Sequence, residues 1–470
     1  MSTFEQPDAA QLQSLLNRQR RAFQADAPWS AAQRCALIDR AIGLLVDHHE
    51  AIVEAISADF GHRSPDFTRL AEIVLPIQVM KEARDQIARW MQPEPRTVAH
   101  GQAWIEYQPL GVVGIVTPWN FPVNMLFNCL VGVLAAGNRA MIKPSEFTPR
   151  TSALLARLIA TTFAEDEVVV VNGDARLGQL FCSLPFDHLL FTGSTCVGRQ
   201  VMKAAAENLV PVTLELGGKN PVIVSHGADL AKAAQKIMTG KVLNAGQICL
   251  APDVVWVPQE SLDAFVDAAE IALSEICPTL NDNPDYCSII NPQHVQRLKG
   301  YVLEARAAGV RVIELNPAGE TLDHSPQCKL APTLLINPGD DLQVMQDEIF
   351  GPLLVIKPYQ DIGEIIAHIN ARPRPLALYY FGEDRHEEQQ LLRHTHSGGV
   401  TINDVIRHAG VEDLPFGGVG ASGMGAYHGI HGFRTFSHAK AVYRTVDLPD
   451  PARPPYSDAL RQNISLMIRR

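Results

Sequence analysis

The chain has 470 residues, too many for one ordinary hydrophobic core, so two or more domains are expected. Apolar residues make up 46% and charged residues 19%, a globular balance that excludes disorder. The net charge is −11 and no basic run interrupts it, which excludes nucleic acid and anionic membrane as expected partners.

Between Ala9 and Phe60 apolar residues recur at helical spacing: Leu12, Leu15 and Leu16, then Leu37, Ile38, Ile42, Leu44 and Leu45. Pro28 and Ser30 divide this stretch into two helices, with Ser30 as a cap. A third helix is expected over Asp66 to Met91, ended by Pro93 and Pro95. Ala103 to Gln108 alternates apolar and polar residues and reads as an exposed strand of an antiparallel ribbon. Its expected partner lies far away, around Ala441 to Val446.

After Pro109 come short β-rich runs: GVVGIVTP, RAMIKP, EVVVVNG, HLLFTGS and PVTLELGG. Helical segments at Val123–Ala136, Arg150–Phe163 and Gly198–Leu209 separate them. Such alternation predicts a parallel, doubly wound sheet. PVIVSH and DVVWVP begin a second unit, with helices over Leu230–Asn244 and Ser261–Ile276. GVRVIEL, LAPTLLIN, LLVIKPY and LALYYFG add strands. LPFGGVGASGMGAYHG is too rich in glycine for one regular element and reads as an ordered loop near a site. The tail beyond Leu448 carries four prolines and is expected to pack on a neighbour or fray.

Eight cysteines are scattered: Cys35, Cys129, Cys182, Cys196, Cys249, Cys277, Cys287 and Cys328. None forms a C-x-x-C pair or a Cys/His cluster with zinc-ligand spacing, so no metal site is expected. Free thiols suit a reducing compartment. The opening MSTFEQPDAAQLQ lacks a signal-peptide core, and no apolar run is long enough to span a bilayer. The expectation is a cytoplasmic protein.

Several residues carry possible chemistry. Cys249, in NAGQICLAPD, follows a small Ala-Gly pair; a thiolate there could attack an aldehyde carbon. The other cysteines read as small buried apolar residues. Glu215, in VTLELGGKN, places an acid in an apolar strand, which suits a general base or a carboxylate bonded to backbone amides. Asn120, in TPWNFP, could donate to an oxyanion or form a turn before Pro122. Lys143 and Glu146, in MIKPSE, follow a strand and suit ribose hydroxyls, although a surface pair would look the same. GSTCVG, from Gly193 to Gly198, joins a strand to a helix but lacks the G-x-G-x-x-G spacing. Glu348, in QDEIFGP, fits a ribose contact or a turn acid.

Six segments in order, TPWNFP, KPSE, FTGSTCVG, LELGGKNP, GQICLAPD and EIFGP, resemble the aldehyde dehydrogenase superfamily. The 34-residue interval from Glu215 to Cys249 is also similar to that family's. The resemblance covers residues 10 to 445 and implies a role for each marked residue. Cys249 is the implied nucleophile, Glu215 the base that activates deacylating water, and Asn120 part of the oxyanion hole. Lys143 and Glu146 would hold the adenosine ribose. Glu348 and Phe350 would position the nicotinamide half, and Pro118, Trp119, Ser145, Gly193, Ser194 and Leu216 would lie along the cofactor. NAD is the implied cofactor, because Glu146 suits a 2′-hydroxyl and repels a 2′-phosphate; class-3-type relatives sometimes also use NADP.

The resemblance implies an α/β fold with two Rossmann-type open-sheet domains and a small β oligomerisation segment. The cofactor domain would span 1–85 and 107–217, and the catalytic domain 218–425. The oligomerisation segment and tail would span 86–106 and 426–470, and a homodimer is implied. The sequence is most similar to the class-3-type enzymes. Within these, DFGHRS, KPSEFTP and the 184–219 stretch resemble the bacterial group that oxidises coniferyl aldehyde to ferulate. Ile248 and Leu250 beside the nucleophile, and Val123 to Met125 after NFP, depart from the common pattern and could reshape the substrate funnel. Two alternatives follow: a broad dehydrogenase of aliphatic and aromatic aldehydes, and a catalytically silent member of the fold.

Overall fold

The computed structural model describes residues 6–322, 328–446 and 453–469; the tail from Leu448 to residue 452 lies outside them. Two capped helices open the described chain, Ala9–Ala25 and Ala31–Phe60. Asp8 and Ser30 each accept the backbone N–H three residues on, and Gln11 and Gln33 return the bond.

The expected helix over Asp66 to Met91 is found, but it is not uniform. Pro65–Thr68 and Leu75–Trp90 are α-helical and flank a π-helical turn, Arg69–Val74. Pro76 accounts for it: proline has no N–H to give Glu72, and its ring clashes with that carbonyl, so the preceding turn widens. The widened turn leaves Leu70 and Leu75 unburied at a cavity mouth while Glu72 points fully inward.

The strands are β1 (Glu94–Arg96), β2 (Gln102–Pro109), β3 (Val112–Val116), β4 (Arg139–Lys143), β5 (Val168–Val170), β6 (His188–Gly193) and β7 (Val212–Leu216). Then come β8 (Pro221–Val224), β9 (Val254–Pro258), β10 (Arg311–Glu314), β11 (Thr333–Ile336) and β12 (Leu353–Tyr359). β13 (Ala377–Phe381), β14 (Gly399–Ile402), β15 (Gly423–Met424) and β16 (Ser437–Arg444) complete them. Among the described residues these strands form three sheets. The first runs β15-β7-β6-β3-β4-β5, parallel except for β15; the second runs β10-β11-β12-β9-β8-β13-β14, parallel except for β10. The third is the antiparallel ribbon β1-β2-β16, in which Ala103 faces Tyr443 and Ile105 faces Ala441, as the alternation predicts.

The first sheet is buried on both faces. Val113, Ile115, Ala140, Ile142 and Leu190 belong to one core; Val112, Met141, Leu189, Phe191 and Leu214 belong to the other. This explains why its strands read as nearly continuous apolar runs. From β3 the chain adds β4 and β5 on one side, then returns to place β6 and β7 on the other. The reversal leaves a crevice beyond the carboxyl ends of β3 and β6, where ligands bind in open α/β sheets. Gly423–Met424, too short to read as a strand, extends this sheet beyond β7.

Candidate active site

A cavity of about 1650 Å³ opens at this crevice and continues to the second sheet. Typical small-molecule sites occupy roughly 300–1,000 Å³, so a dinucleotide and a substrate fit together. The residues given a role from the sequence line it: Pro118, Trp119, Asn120, Lys143, Ser145, Glu146, Gly193, Ser194, Glu215, Leu216, Cys249, Glu348 and Phe350. Of the three residues after NFP, Asn124 and Met125 line it, but Val123 is fully buried in the core and does not.

Cys249 follows an unusual turn. Asn244, Ala245 and Gly246 have φ values of 50°, 52° and 73°. A right-handed helix cannot continue through left-handed backbone, so the helix expected to reach Asn244 stops at Val242. A Cβ at Gly246 would meet the Gly351 carbonyl oxygen, which requires glycine there. Beyond the turn, each carbonyl is held. Asn220 Nδ2 donates to Cys249 O (2.7 Å) and Ala251 O (3.1 Å), Tyr379 Oη to Leu250 O (2.6 Å) and Lys241 Nζ to Pro252 O (2.9 Å). The backbone of Cys249 is thereby fixed without its side chain. Ile248 and Leu250 also line the cavity, as their departures from the pattern suggest.

Asn120 Nδ2 donates to Gln247 O at 3.1 Å, aiming the amide at the Cys249 loop. Its own carbonyl accepts from Arg63 Nη1 (3.0 Å) and Asn244 Nδ2 (3.2 Å). Arg63 is fully buried beneath the rings of Phe60, Phe67 and Phe121, and its Nη1 lies 2.9 Å from Glu72 Oε1. Glu72 Oε2 accepts from the N–H groups of Val123 (3.0 Å) and Asn124 (2.7 Å). Glu72→Ala would strand a buried guanidinium and two buried amides. It is expected to destabilise the protein by about 3–5 kcal/mol, seen as a lowered urea midpoint; an unchanged midpoint would contradict this role.

Glu215 lies on the face of β7 opposite Leu214 and Leu216, which pack in the second core. It is buried, neither carboxylate oxygen has a partner, and burial pushes its carboxyl well above the usual range. Glu348 is placed by two residues of the sequence motifs. Lys219 pairs with Asp253 and donates to Val344 O (2.5 Å) and Asp347 O (3.0 Å), while Asp253 Oδ2 accepts from Ile349 N (2.9 Å). Burial, reinforced by the Asp253 charge, lifts Glu348 to about 8. Its carboxyl occupies the space a Cβ at Gly217 would need.

At the other end, Lys143 Nζ reaches Glu146 Oε2 at 2.7 Å just beyond β4. Ser194 caps the helix Thr195–Ala206, which begins three residues before the expected Gly198. The start of this helix, the Lys143–Glu146 pair and the unpartnered Glu348 Oε1 line one continuous wall. A helix start, a Lys–Glu pair beyond a strand's carboxyl end and an unpartnered carboxyl oxygen fit a nucleotide cofactor. Trp119 meets His294 (5.4 Å), Phe350 (5.3 Å) and Phe147 (6.5 Å) between ring centres. Among the described residues no group of three His, Cys, Asp or Glu is placed to hold a metal ion.

Sequence reasoning missed His294, Phe416, Tyr427 and His428, all in the cavity. The last three stand in the glycine-rich loop already read as near a site. It also misjudged Cys196, which is exposed and lines the cavity, because it sits on the first turn of a helix at the cavity wall.

Burial, with the charges of Glu348 and Glu215, lifts the Cys249 thiol to about 12. The thiolate fraction should then climb with pH well past the ordinary thiol range. Carboxamidomethylation of Cys249 in the cofactor-free protein, followed by peptide mass mapping, should accelerate about tenfold per pH unit from about 8 to 11. A plateau near pH 9 would mark an ordinary thiol.

The chain belongs to the aldehyde dehydrogenase family, whose model matches residues 1–442. It is 52% identical over 465 residues to a coniferyl aldehyde dehydrogenase of Pseudomonas sp. strain HR199, covering 98% of this chain and 97% of that one. Among solved structures it is similar to Staphylococcus aureus AldH in a substrate-bound state, with TM-score 0.91 and 34% identity over 97% of this chain and 99% of that one. It is also similar to a Mycobacterium tuberculosis aldehyde dehydrogenase complexed with NAD+, with TM-score 0.84 and 28% identity over 93% and 91% of the two chains.

Proposed function

We propose that this chain oxidises coniferyl aldehyde to ferulate, with Cys249 as nucleophile and NAD as the preferred cofactor. One observation carries the chemistry: the unpartnered buried carboxyl of Glu215 faces the same cavity as Cys249 and Asn120. The 52% identical relative supports the substrate.

The thiolate of Cys249 adds to the aldehyde carbon and forms a thiohemiacetal. The second N–H of Asn120 Nδ2 and the Cys249 amide stabilise its oxyanion. A bound nicotinamide cofactor supplies the hydride acceptor. Lys143 and Glu146 would hold its ribose, Pro118, Trp119, Ser145, Gly193, Ser194 and Leu216 would flank it, and Glu348 and Phe350 would orient its reacting end. Glu215 then takes a proton from water, which attacks the thioester carbonyl and releases the acid and the Cys249 thiol. The Glu146 carboxylate beside Lys143 favours a ribose diol over a 2′-phosphate, so NADP is the weaker partner.

The test measures reduced-cofactor absorbance with NAD and NADP against coniferyl, cinnamyl, benzyl and medium-chain aliphatic aldehydes. Preference for coniferyl aldehyde with NAD is expected. Equal rates across the set would replace this function with broad aldehyde oxidation, and absence of turnover would leave a silent member of the fold.

We further propose a homodimer. The ribbon β1-β2-β16 and the helix Asp458–Met467, which buries none of its residues, support it. Domain limits of 1–85 with 107–217, 218–425, and 86–106 with 426–470 are proposed with it. No helix of the described residues is long and apolar enough to cross a membrane, and all eight cysteines are unpaired, which supports a cytoplasmic setting.

A further inference from the structure

The cavity extends past the reacting residues along an aromatic wall. Phe416 stacks on His428 at 4.8 Å between ring centres, and Tyr427 meets both edge-on, at 5.7 and 4.8 Å. Tyr427 lies near enough to Glu215, Cys249 and Glu412 to feel the charge of each, and all four line the same cavity. A flat conjugated ring suits this wall, because aromatic faces and edges pack favourably against one another.

Glu412 lines the cavity with its side chain 14% exposed. The charges that act on it most are Glu82 and Asp413, both acidic, so no cation claims it. Behind it, His428 is 5% exposed and its Nδ1 has no hydrogen-bond partner. Nδ1 lies 3.6 Å from Glu412 Oε1, too far for a hydrogen bond. Glu412 accepts one backbone N–H, from Gly429, which leaves its carboxyl further acceptor sites toward the cavity, while the buried His428 Nδ1 has no partner, which is costly unless a ligand or water supplies one.

We propose that Glu412, backed by His428, selects aryl aldehydes bearing a free phenolic hydroxyl at the ring end remote from the aldehyde. The hydroxyl donates to Glu412 while the ring lies along Phe416 and Tyr427. Burial and Glu82 lift the Glu412 carboxyl to about 7, so it is not locked as a carboxylate that would demand a cation. This selection rests on the aldehyde-oxidising function proposed above.

The test compares kcat/KM for coniferyl aldehyde with that for its phenol methyl ether, in the wild type, Glu412→Leu and Glu412→Gln. Taking the ratio within each protein removes differences in active fraction. The wild type should favour the free phenol by about tenfold, the scale of one net hydrogen bond. The ratio should approach one in Glu412→Leu and stay above that in Glu412→Gln, whose amide oxygen still accepts. A ratio near one in the wild type overturns the selection, as does a full ratio in Glu412→Leu. Preference for an ω-ammonium aldehyde over coniferyl aldehyde also overturns it, in favour of cation recognition. Absence of turnover with every aldehyde would instead sink the function on which it rests.

Discussion

Cys249→Ala should reduce aldehyde-dependent cofactor reduction by at least about 10⁴-fold, the scale seen when a covalent nucleophile is removed. The structure makes this a clean test. The loop is held through the carbonyls of Cys249, Leu250, Ala251 and Pro252, and none of those bonds uses the thiol. Loss of the sulfur should therefore leave the fold and the cofactor wall intact. Quenching of intrinsic fluorescence by cofactor checks that binding survives. Near-normal turnover with intact binding would rule out covalent catalysis at this position.

Glu215→Gln should separate the two halves of the reaction. The first turnover should still release about one reduced cofactor per active site, because thiol addition does not require this carboxyl. Steady-state turnover should then fall by about 10²–10⁴-fold, the usual contribution of a positioned general base. Glutamine has the same shape, and neither oxygen of Glu215 holds a protein partner whose loss could disturb the strand. A stopped-flow trace with a burst and a slow phase is expected. Equal loss of burst and steady state would move Glu215 out of deacylation, and an unchanged steady state would remove it from the reaction.

The strands of the first sheet were legible because apolar residues sit on both faces, so each run is dense enough to stand out. The pairing of β2 with β16 was legible from alternation alone, although their partners lie more than 300 residues apart. The candidate reacting residues were legible because each lies within a short local motif. Other features depend on contacts that no local window contains. Arg63 and Glu72 matter through Asn120, Val123 and Asn124, reached only after folding. Glu412 reads as one of two acids in a loop until His428 is brought against it. The π-turn follows from Pro76, a signal present in the sequence but easily read as a tolerated first-turn proline. β15 has two residues, below what periodicity can register.

The bonds around Asn120 tie residues from the two large sheets together. The amide of Asn120, on the β3 side, grips Gln247 of the Cys249 loop, and Asn244 grips Asn120 in return. Nearby, Ser288 N donates to His62 O at 2.9 Å and Ser64 Oγ to Asp285 Oδ1 at 3.0 Å. This line is a latch as well as a scaffold. Any rotation that widens the cleft must first stretch it, and stretching it draws the Asn120 amide away from the Cys249 loop. On the proposed mechanism, opening for exchange and disarming Cys249 are then a single movement, and a thioester would be sheltered for as long as the latch holds.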